Sequence, residues 1–279
     1  VHDGLVLGVR DYVRKCGFAS VVIGLSGGID SALTAAIAVR ALGPDKVLGV
    51  AMPSPYSSEG SLNDARDLAH NLGCNFRVIP IEPLFNQFNT SLSDIFYGRD
   101  EDLTEQNIQA RIRGNLLMAI SNKLGSMLLT TGNKSELAVG YCTLYGDMAG
   151  GFAVIKDLAK TTVYRLSRWR NTQPGGEIIP DRIITRAPSA ELREDQTDQD
   201  SLPDYDVLDG IMLMYMEQNC SVSEILAAGY PADAVERVVH LIRLNEYKRR
   251  QSPVGIRITH RAFGRDWRYP ITSKYREKD

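Results

Sequence analysis

An α/β protein with a doubly wound parallel sheet is what this sequence predicts, and three observations carry it. The β-branched run Ser20-Val21-Val22-Ile23 passes through Gly24-Leu25-Ser26-Gly27-Gly28-Ile29-Asp30-Ser31 into an alanine-rich stretch at 32–38. That is the pattern of a strand, a tight loop and a helix. Strand and helix signals then alternate up to Thr130, an order that favours parallel strands covered by helices. A second small polar turn, Thr130-Thr131-Gly132-Asn133-Lys134-Ser135-Glu136, repeats the arrangement further along the chain. Ligands of such sheets bind beyond the carboxyl ends of the strands, where both turns fall.

Each element has its own signal. Leu5, Val9 and Tyr12 share one face of a helix over 5–13. Strand one covers 21–25, and the helix at 32–42 is stopped by Gly43-Pro44. Strand two, 46–52, ends at Pro53-Ser54-Pro55. A helix over 58–72 is closed by Gly73, strand three covers 75–81, and 82–92 reads as helix. The helix at 104–123 opens on Thr104-Glu105, which caps and complements its N-terminus, and strand four covers 126–130. A helix also follows Lys156-Asp157-Leu158-Ala159-Lys160-Thr161. Prolines and glycines break periodicity from 171 to 205, and an acidic run there holds Glu191, Glu194, Asp195, Asp198 and Asp200. We read 174–205 as a mobile loop, a linker or a lid over the substrate site. Residues 206–279 form a helical and basic C-terminal extension, with helices expected at 207–217, 222–227 and 232–243.

The 279 residues, 43% hydrophobic and 24% charged, suit one large domain. A net charge of −2 gives no basic footprint for nucleic acid, and no apolar run is long enough to span a bilayer. Cys16, Cys74, Cys142 and Cys220 are far apart, with no C-x-x-C pair. Reduced thiols in the cytoplasm are expected. The chain begins at Val1 inside a helical pattern, so it reads as a piece of something longer.

The first turn carries the chemistry. Gly27 and Gly28 let the backbone approach an anion with its N–H groups, and the helix that follows adds partial positive charge. Ser26 and Ser31 offer hydroxyls to phosphate oxygens. A carboxylate at Asp30 would repel bound phosphates unless a cation lay between, so it implies Mg²⁺. The spacing is neither that of a Walker A loop nor G-x-G-x-x-G. The S-G-G-x-D-S segment resembles the pyrophosphate loop of the ATP pyrophosphatases.

Further constellations stand beside it. Asn107 and Arg111, four apart on a helix, share a face suited to a planar anionic or amide-rich ligand. Thr131 could bond a nucleotide, and Glu136 could supply a second carboxylate to the metal. The glycine-rich run Gly140-Tyr141-Cys142-Thr143-Leu144-Tyr145-Gly146-Asp147 suggests a pocket shaped by backbone, with Cys142 a small packing residue. Lys160 is placed to reach phosphates, Lys156 less well, and Pro188-Ser189-Ala190-Glu191-Leu192 could return a hydroxyl to the nucleotide. No histidine is assigned to catalysis.

In this order, these motifs with Tyr247-Lys248-Arg249 resemble the synthetase domain of the NAD synthetase family. The tail Arg265-Asp266-Trp267-Arg268-Tyr269-Pro270-Ile271 is similar to its glutamine-dependent bacterial branch. The resemblance implies the Rossmann-like, adenine nucleotide alpha-hydrolase-like fold. It also implies ATP-dependent amidation of nicotinic acid adenine dinucleotide (deamido-NAD) through an adenylate, by a C–N ligase. Residues 24–31 with Thr131, Lys160 and Ser189 would bind ATP. Asn107, Arg111, Glu136, Tyr141, Cys142, Thr143, Leu144 and Lys248 would bind deamido-NAD. Asp30 and Glu136 would hold Mg²⁺, and Asp30 and Lys160 would be catalytic. A homodimer is implied, with the 104–123 helix a candidate interface, as is an N-terminal glutaminase domain for which this chain has no room. Ammonia-dependent members tend to carry lysine where Leu144 stands, and the family often has threonine at the place of Ser189. The competing readings are another amide- or thio-forming ATP pyrophosphatase, such as the synthetase part of GMP synthetase or a tRNA-modifying thiolase, and a nucleotide sensor without catalysis.

Overall fold

The computed structural model describes residues 1–194, 196–264 and 266–272. Asp195 of the acidic run and Arg265 of the tail motif lie outside the described residues.

The strands expected from β-branched runs form β1 (Val21–Gly24), β2 (Val47–Ala51), β3 (Asn75–Val78) and β4 (Met127–Thr130), with a short β5 (Phe152–Ala153). They make one sheet in the order β3-β2-β1-β4-β5, and every pairing is parallel. The order reverses between β1 and β4, so their carboxyl ends open a crevice at the middle of the sheet.

Alternation along the strands decides which helices cover which face. Val21 and Ile23 of β1 and Met127 and Leu129 of β4 point to one side. There they pack with α1 (His2–Lys15), α2 (Ile29–Leu42), α3 (Glu59–Leu72) and α7 (Lys160–Asn171). Val22, Val50 and Leu128 point the other way, onto Phe85 of α4 (Glu82–Phe96) and Ile108, Ile112 and Leu117 of α5 (Leu103–Leu124). α2 is buried on nearly every side, as its alanine-rich sequence requires. α3 and α5 start on side-chain caps, Ser58 and Asp102, and end on left-handed Gly73 and Gly125.

A third cluster belongs to the C-terminal part. α6 (Lys134–Val139) packs with α9 (Tyr205–Met212), α10 (Val222–Ala227) and α11 (Ala232–Leu244). A π-turn over Leu213–Glu217 extends α9, and α12 is Glu246–Arg249. The expected helices at 207–217, 222–227 and 232–243 are therefore present. The extension is integrated rather than appended, because α6 follows β4 directly.

The segment 174–205 carries a short α8 (Asp181–Thr185) and a 3₁₀ turn (Asp198–Asp200). Arg182 and Arg186 both pair with Asp64 of α3, which is buried. Among the described residues no helix is long and apolar enough to cross a membrane.

Lys156, the weaker of the two lysines expected to reach phosphates, is buried. Its ammonium donates to the Pro253 carbonyl at 2.6 Å instead of facing the crevice. Burial pushes this group down to about 8; the nearby Arg268 guanidinium acts the same way and Asp157 opposes it. An unfolded lysine titrates near ~10.4. Between those values the unfolded chain binds more protons, so stability rises with pH across the window. The melting temperature of the wild type minus that of Lys156→Met should therefore climb from about pH 8 to about pH 10. A flat difference would put the ammonium in contact with solvent.

Candidate active site

The loop after β1 is built by its glycines. Gly27 has φ 83°, and a Cβ there would overlap the backbone of Ser61. Gly27→Ala is thus expected to combine left-handed strain of about 1–3 kcal/mol with displacement of α3. Retained nucleotide affinity in a binding titration would argue that the loop does not set the site. Gly28, with φ −89°, serves as the N-cap of α2. Ser31 Oγ donates to the Gly28 carbonyl at 2.9 Å, and the Gly28 N–H donates to Ser26 Oγ at 3.2 Å. The two hydroxyls expected to meet phosphate therefore also brace the loop.

The loop after β4 mirrors it. Asn133 and Glu136 form a reciprocal cap on α6: Asn133 Oδ1 accepts from the Glu136 N–H at 3.0 Å and Glu136 Oε2 accepts from the Asn133 N–H at 3.3 Å. The free end of the Asn133 amide donates to Asp30 Oδ1 at 2.9 Å, tying the two strand ends together. At the start of α7, Lys160 reaches both carboxylates, 2.5 Å from Asp30 Oδ2 and 3.2 Å from Glu136 Oε1. Its own N–H donates to Ser135 Oγ at 2.8 Å.

Buried charge dominates this cluster. Burial raises the Glu136 carboxyl to about 8; Lys160 opposes that, while Asp30 and Asp198 reinforce it. Burial alone would lower the Lys160 ammonium, but Asp30 and Glu136 outweigh it and the net direction is upward. The lysine is therefore held charged between two acids. Asp198, buried on the 3₁₀ turn, accepts from the Tyr205 hydroxyl at 2.8 Å.

One crevice takes in all of 24–31 with Thr131, Glu136, Tyr141, Lys160 and Ser189. Sequence reasoning had given no role to Arg113, which lines the same crevice and donates to the Met52 carbonyl at 3.0 Å. Glu191, named in the acidic run and in the Pro188–Leu192 motif but given no role of its own, accepts from Ser58 Oγ at 2.9 Å and Ser61 Oγ at 2.6 Å. Arg113 was visible as the second arginine of the Asn107 motif; Asp198 gave no signal beyond its place in an acidic run.

The other expected residues gather at a second place. Arg111 and Leu144 line a shallower groove with Tyr145 and Gln251, and Arg111 Nε donates to the Leu144 carbonyl at 3.3 Å. Asn107 Oδ1 accepts from Thr143 Oγ1 at 2.9 Å. Lys248 donates to the Gly140 and Cys142 carbonyls at 2.6 and 2.7 Å. Asn107, Thr143, Cys142 and Lys248 line neither cavity; they shape the turn between the two.

Residues 1–252 match the sequence profile of the family described as NAD synthase. The chain belongs to this family. Among its NAD synthase relatives is the glutamine-dependent NAD(+) synthetase of Thermotoga maritima, 56% identical over 273 residues, which span 98% of this chain and 47% of that protein. That of Acinetobacter baylyi is 54% identical over 279 residues, 100% of this chain and 52% of that protein. The chain thus spans about half the length of the curated relatives it matches. Among solved structures, the glutamine-dependent NAD+ synthetase of Acinetobacter baumannii in complex with ADP aligns with TM-score 0.66 at 48% identity, over 100% of this chain and 50% of that one. NMN synthetase from Francisella tularensis aligns with TM-score 0.74 at 26% identity, over 90% and 93%. Both the expected family and the parallel α/β fold are borne out.

Proposed function

We propose that this chain converts deamido-NAD to NAD with ATP and ammonia. A nicotinate carboxylate oxygen attacks the α-phosphorus of ATP, and the bond to pyrophosphate breaks. Ammonia then attacks the adenylated carbonyl carbon, loses a proton, and AMP leaves with the C–O bond pair. The observation that carries this reading is the Asp30–Lys160–Glu136 cluster, set beside a glycine-rich loop at the carboxyl ends of β1 and β4. The printed names of the relatives agree with it.

The chain's task is to bring two anions together. Two unit charges ~4 Å apart at an effective dielectric of ~20 repel by about 4 kcal/mol. Lys160 offsets part of that as a permanently charged, immobile donor. The N–H groups around Gly27 and Gly28 would hold the leaving pyrophosphate, and Thr131 and Ser189 would contact ATP. Asn107, Arg111, Glu136, Tyr141, Cys142, Thr143, Leu144 and Lys248 remain our candidates for the dinucleotide. Positioning and charge stabilisation would supply the catalysis, with no covalent enzyme intermediate.

The donor set fits Mg²⁺. Asp30 and Glu136 offer hard carboxylate oxygens, and each oxygen keeps a second lone pair beyond its bonds to Asn133 and Lys160. Among the described residues no cluster of three or more acidic, His or Cys side chains could hold a metal, so phosphate oxygens and water would complete the shell. The ion would supply Lewis-acid neutralisation of phosphate charge.

The resemblance also leads us to propose a homodimer. α4 and α5 leave Phe88, Ile95 and Leu103 exposed, a face such a dimer would cover. Ammonia would arrive free or from a glutaminase domain.

The test is pyrophosphate release from Mg·ATP and ammonium, with and without deamido-NAD. Release that depends on deamido-NAD and yields NAD supports the proposal. The likeness to NMN synthetase favours one alternative, so nicotinate mononucleotide belongs in a parallel arm. Release with the mononucleotide alone would move the substrate there. Release with xanthosine monophosphate alone would move the assignment to a GMP-forming enzyme.

A further inference from the structure

Lys134 lies in the motif with Asn133 and Glu136, yet it faces away from the crevice and is fully buried. Its ammonium meets four oxygens: Asp157 Oδ1 at 3.0 Å, Glu217 Oε1 at 2.8 Å, Thr259 Oγ1 at 2.6 Å and the Arg261 carbonyl at 2.8 Å. We propose that Lys134 is a positioning residue for the reaction centre, anchored by a strap formed by residues 253–261. The inference rests on the function proposed above for what that centre does.

The strap is built against the loops that carry the site. The Ala153 N–H donates to the Val254 carbonyl at 2.8 Å, and Ala153 bridges Gly255 in parallel fashion beyond β5. Gly255 has no room for a Cβ, which would overlap the Ala153 carbonyl oxygen. Lys156 donates to the neighbouring Pro253 carbonyl. Asp157 Oδ2 accepts the N–H groups of Ile258 and Thr259, both at 2.7 Å, and Asp157 Oδ1 accepts from Thr259 Oγ1 at 2.9 Å.

Lys134 joins this strap to the active side. It is the first residue of α6, and its N–H donates to the Leu158 carbonyl at 2.8 Å. The residue before it, Asn133, bonds Asp30; two residues after it, Glu136 bonds Lys160. The first turn of α6 is therefore held between two buried ion clusters, one facing substrate and one facing the strap. A buried ammonium with this many fixed acceptors has little freedom to move without leaving a carboxylate unpaired. Its partner Asp157 sits three residues before Lys160, so one ion pair sets the register of both loops. A neutral residue at 134 could fill the space but could not fix the helix against Asp157 and Glu217.

Thr259 provides the test, because its hydroxyl can be removed or kept independently of its shape. Thr259→Val keeps the volume and deletes the hydroxyl; Thr259→Ser keeps the hydroxyl and deletes a methyl. Two readouts are taken on the whole chain: amide hydrogen exchange across 133–136 without ligands, and the Mg²⁺ concentration for half-maximal pyrophosphate release. We expect Thr259→Val to raise both by about tenfold and Thr259→Ser to stay close to wild type. A role confined to packing predicts the reverse order, with serine the more damaged. That order, or faster exchange with an unmoved Mg²⁺ response, overturns the proposal. If the wild type releases no pyrophosphate with any substrate, the proposed function fails, and the exchange arm still decides whether the strap fixes α6.

Discussion

Asparagine in place of Asp30 is expected to lower pyrophosphate release by about a thousandfold while the protein stays folded. The charge lost is one of two carboxylates at the strand ends, and the one nearer to Lys160. Removing a preorganised electrostatic contact from such a site costs about 3–4 kcal/mol in the transition state, which is two to three powers of ten in rate. Asparagine also has a single acceptor oxygen. It must give up either the Asn133 amide or the Lys160 ammonium, both of which Asp30 now engages. That loss should cost only about 1–3 kcal/mol of stability, because a dipole remains where the charge was. Circular dichroism and a melting curve would establish the fold, and a coupled pyrophosphate assay the rate. Turnover within about tenfold of wild type would remove Asp30 from the reaction and leave it a structural tie between β1 and β4.

Most of the fold was legible because its signals are local. The β-branched run at 21–23, the glycines after it and the alanines of α2 each favour the conformation observed. The limits of the reading are equally physical. β5 has two residues inside a glycine-rich run and owes its pairing to β4, so no local pattern announces it. The helix expected at 207–217 loosens into a π-turn at Leu213, a change that hydrophobic spacing does not encode.

The nucleotide side of the site was legible for the same reason: residues 24–31 sit together in sequence and in space. What stayed hidden were side chains whose role depends on distant partners. Asp198 belongs to an acidic run read as a mobile loop, linker or lid, yet it is buried against Tyr205. Lys156 shares a motif with Lys160, yet its carbonyl partner lies in the tail at Pro253. Lys134 carried no predicted role, although three of its partners come from 217 to 261. Lysine is costly to bury unless acceptors are supplied, and no periodicity shows where those acceptors will be.

Methionine in place of Lys160 should abolish adenylation and also loosen the protein in the absence of metal. The sequence alone places Lys160 to reach phosphates. The structure gives it a second duty, because its ammonium and the Asn133 cap hold Asp30 and Glu136 together. Without the lysine the two carboxylates repel each other, and Asp198 adds to the field. Stripping one partner from a buried ion cluster costs about 3–5 kcal/mol. Lys160 opposes the upward push that burial gives Glu136, so its loss should drive that carboxyl up further and let a bound proton relieve part of the cost. A divalent cation can replace the missing charge, so Mg²⁺ should raise the melting temperature of Lys160→Met more than that of the wild type, in which the ammonium competes for the same oxygens. Activity should not return with it, since the metal restores neutrality at the carboxylates but not a cationic donor to the phosphates. Equal Mg²⁺ responses in the two proteins would mean that the oxygens Lys160 engages are not the ones the metal uses.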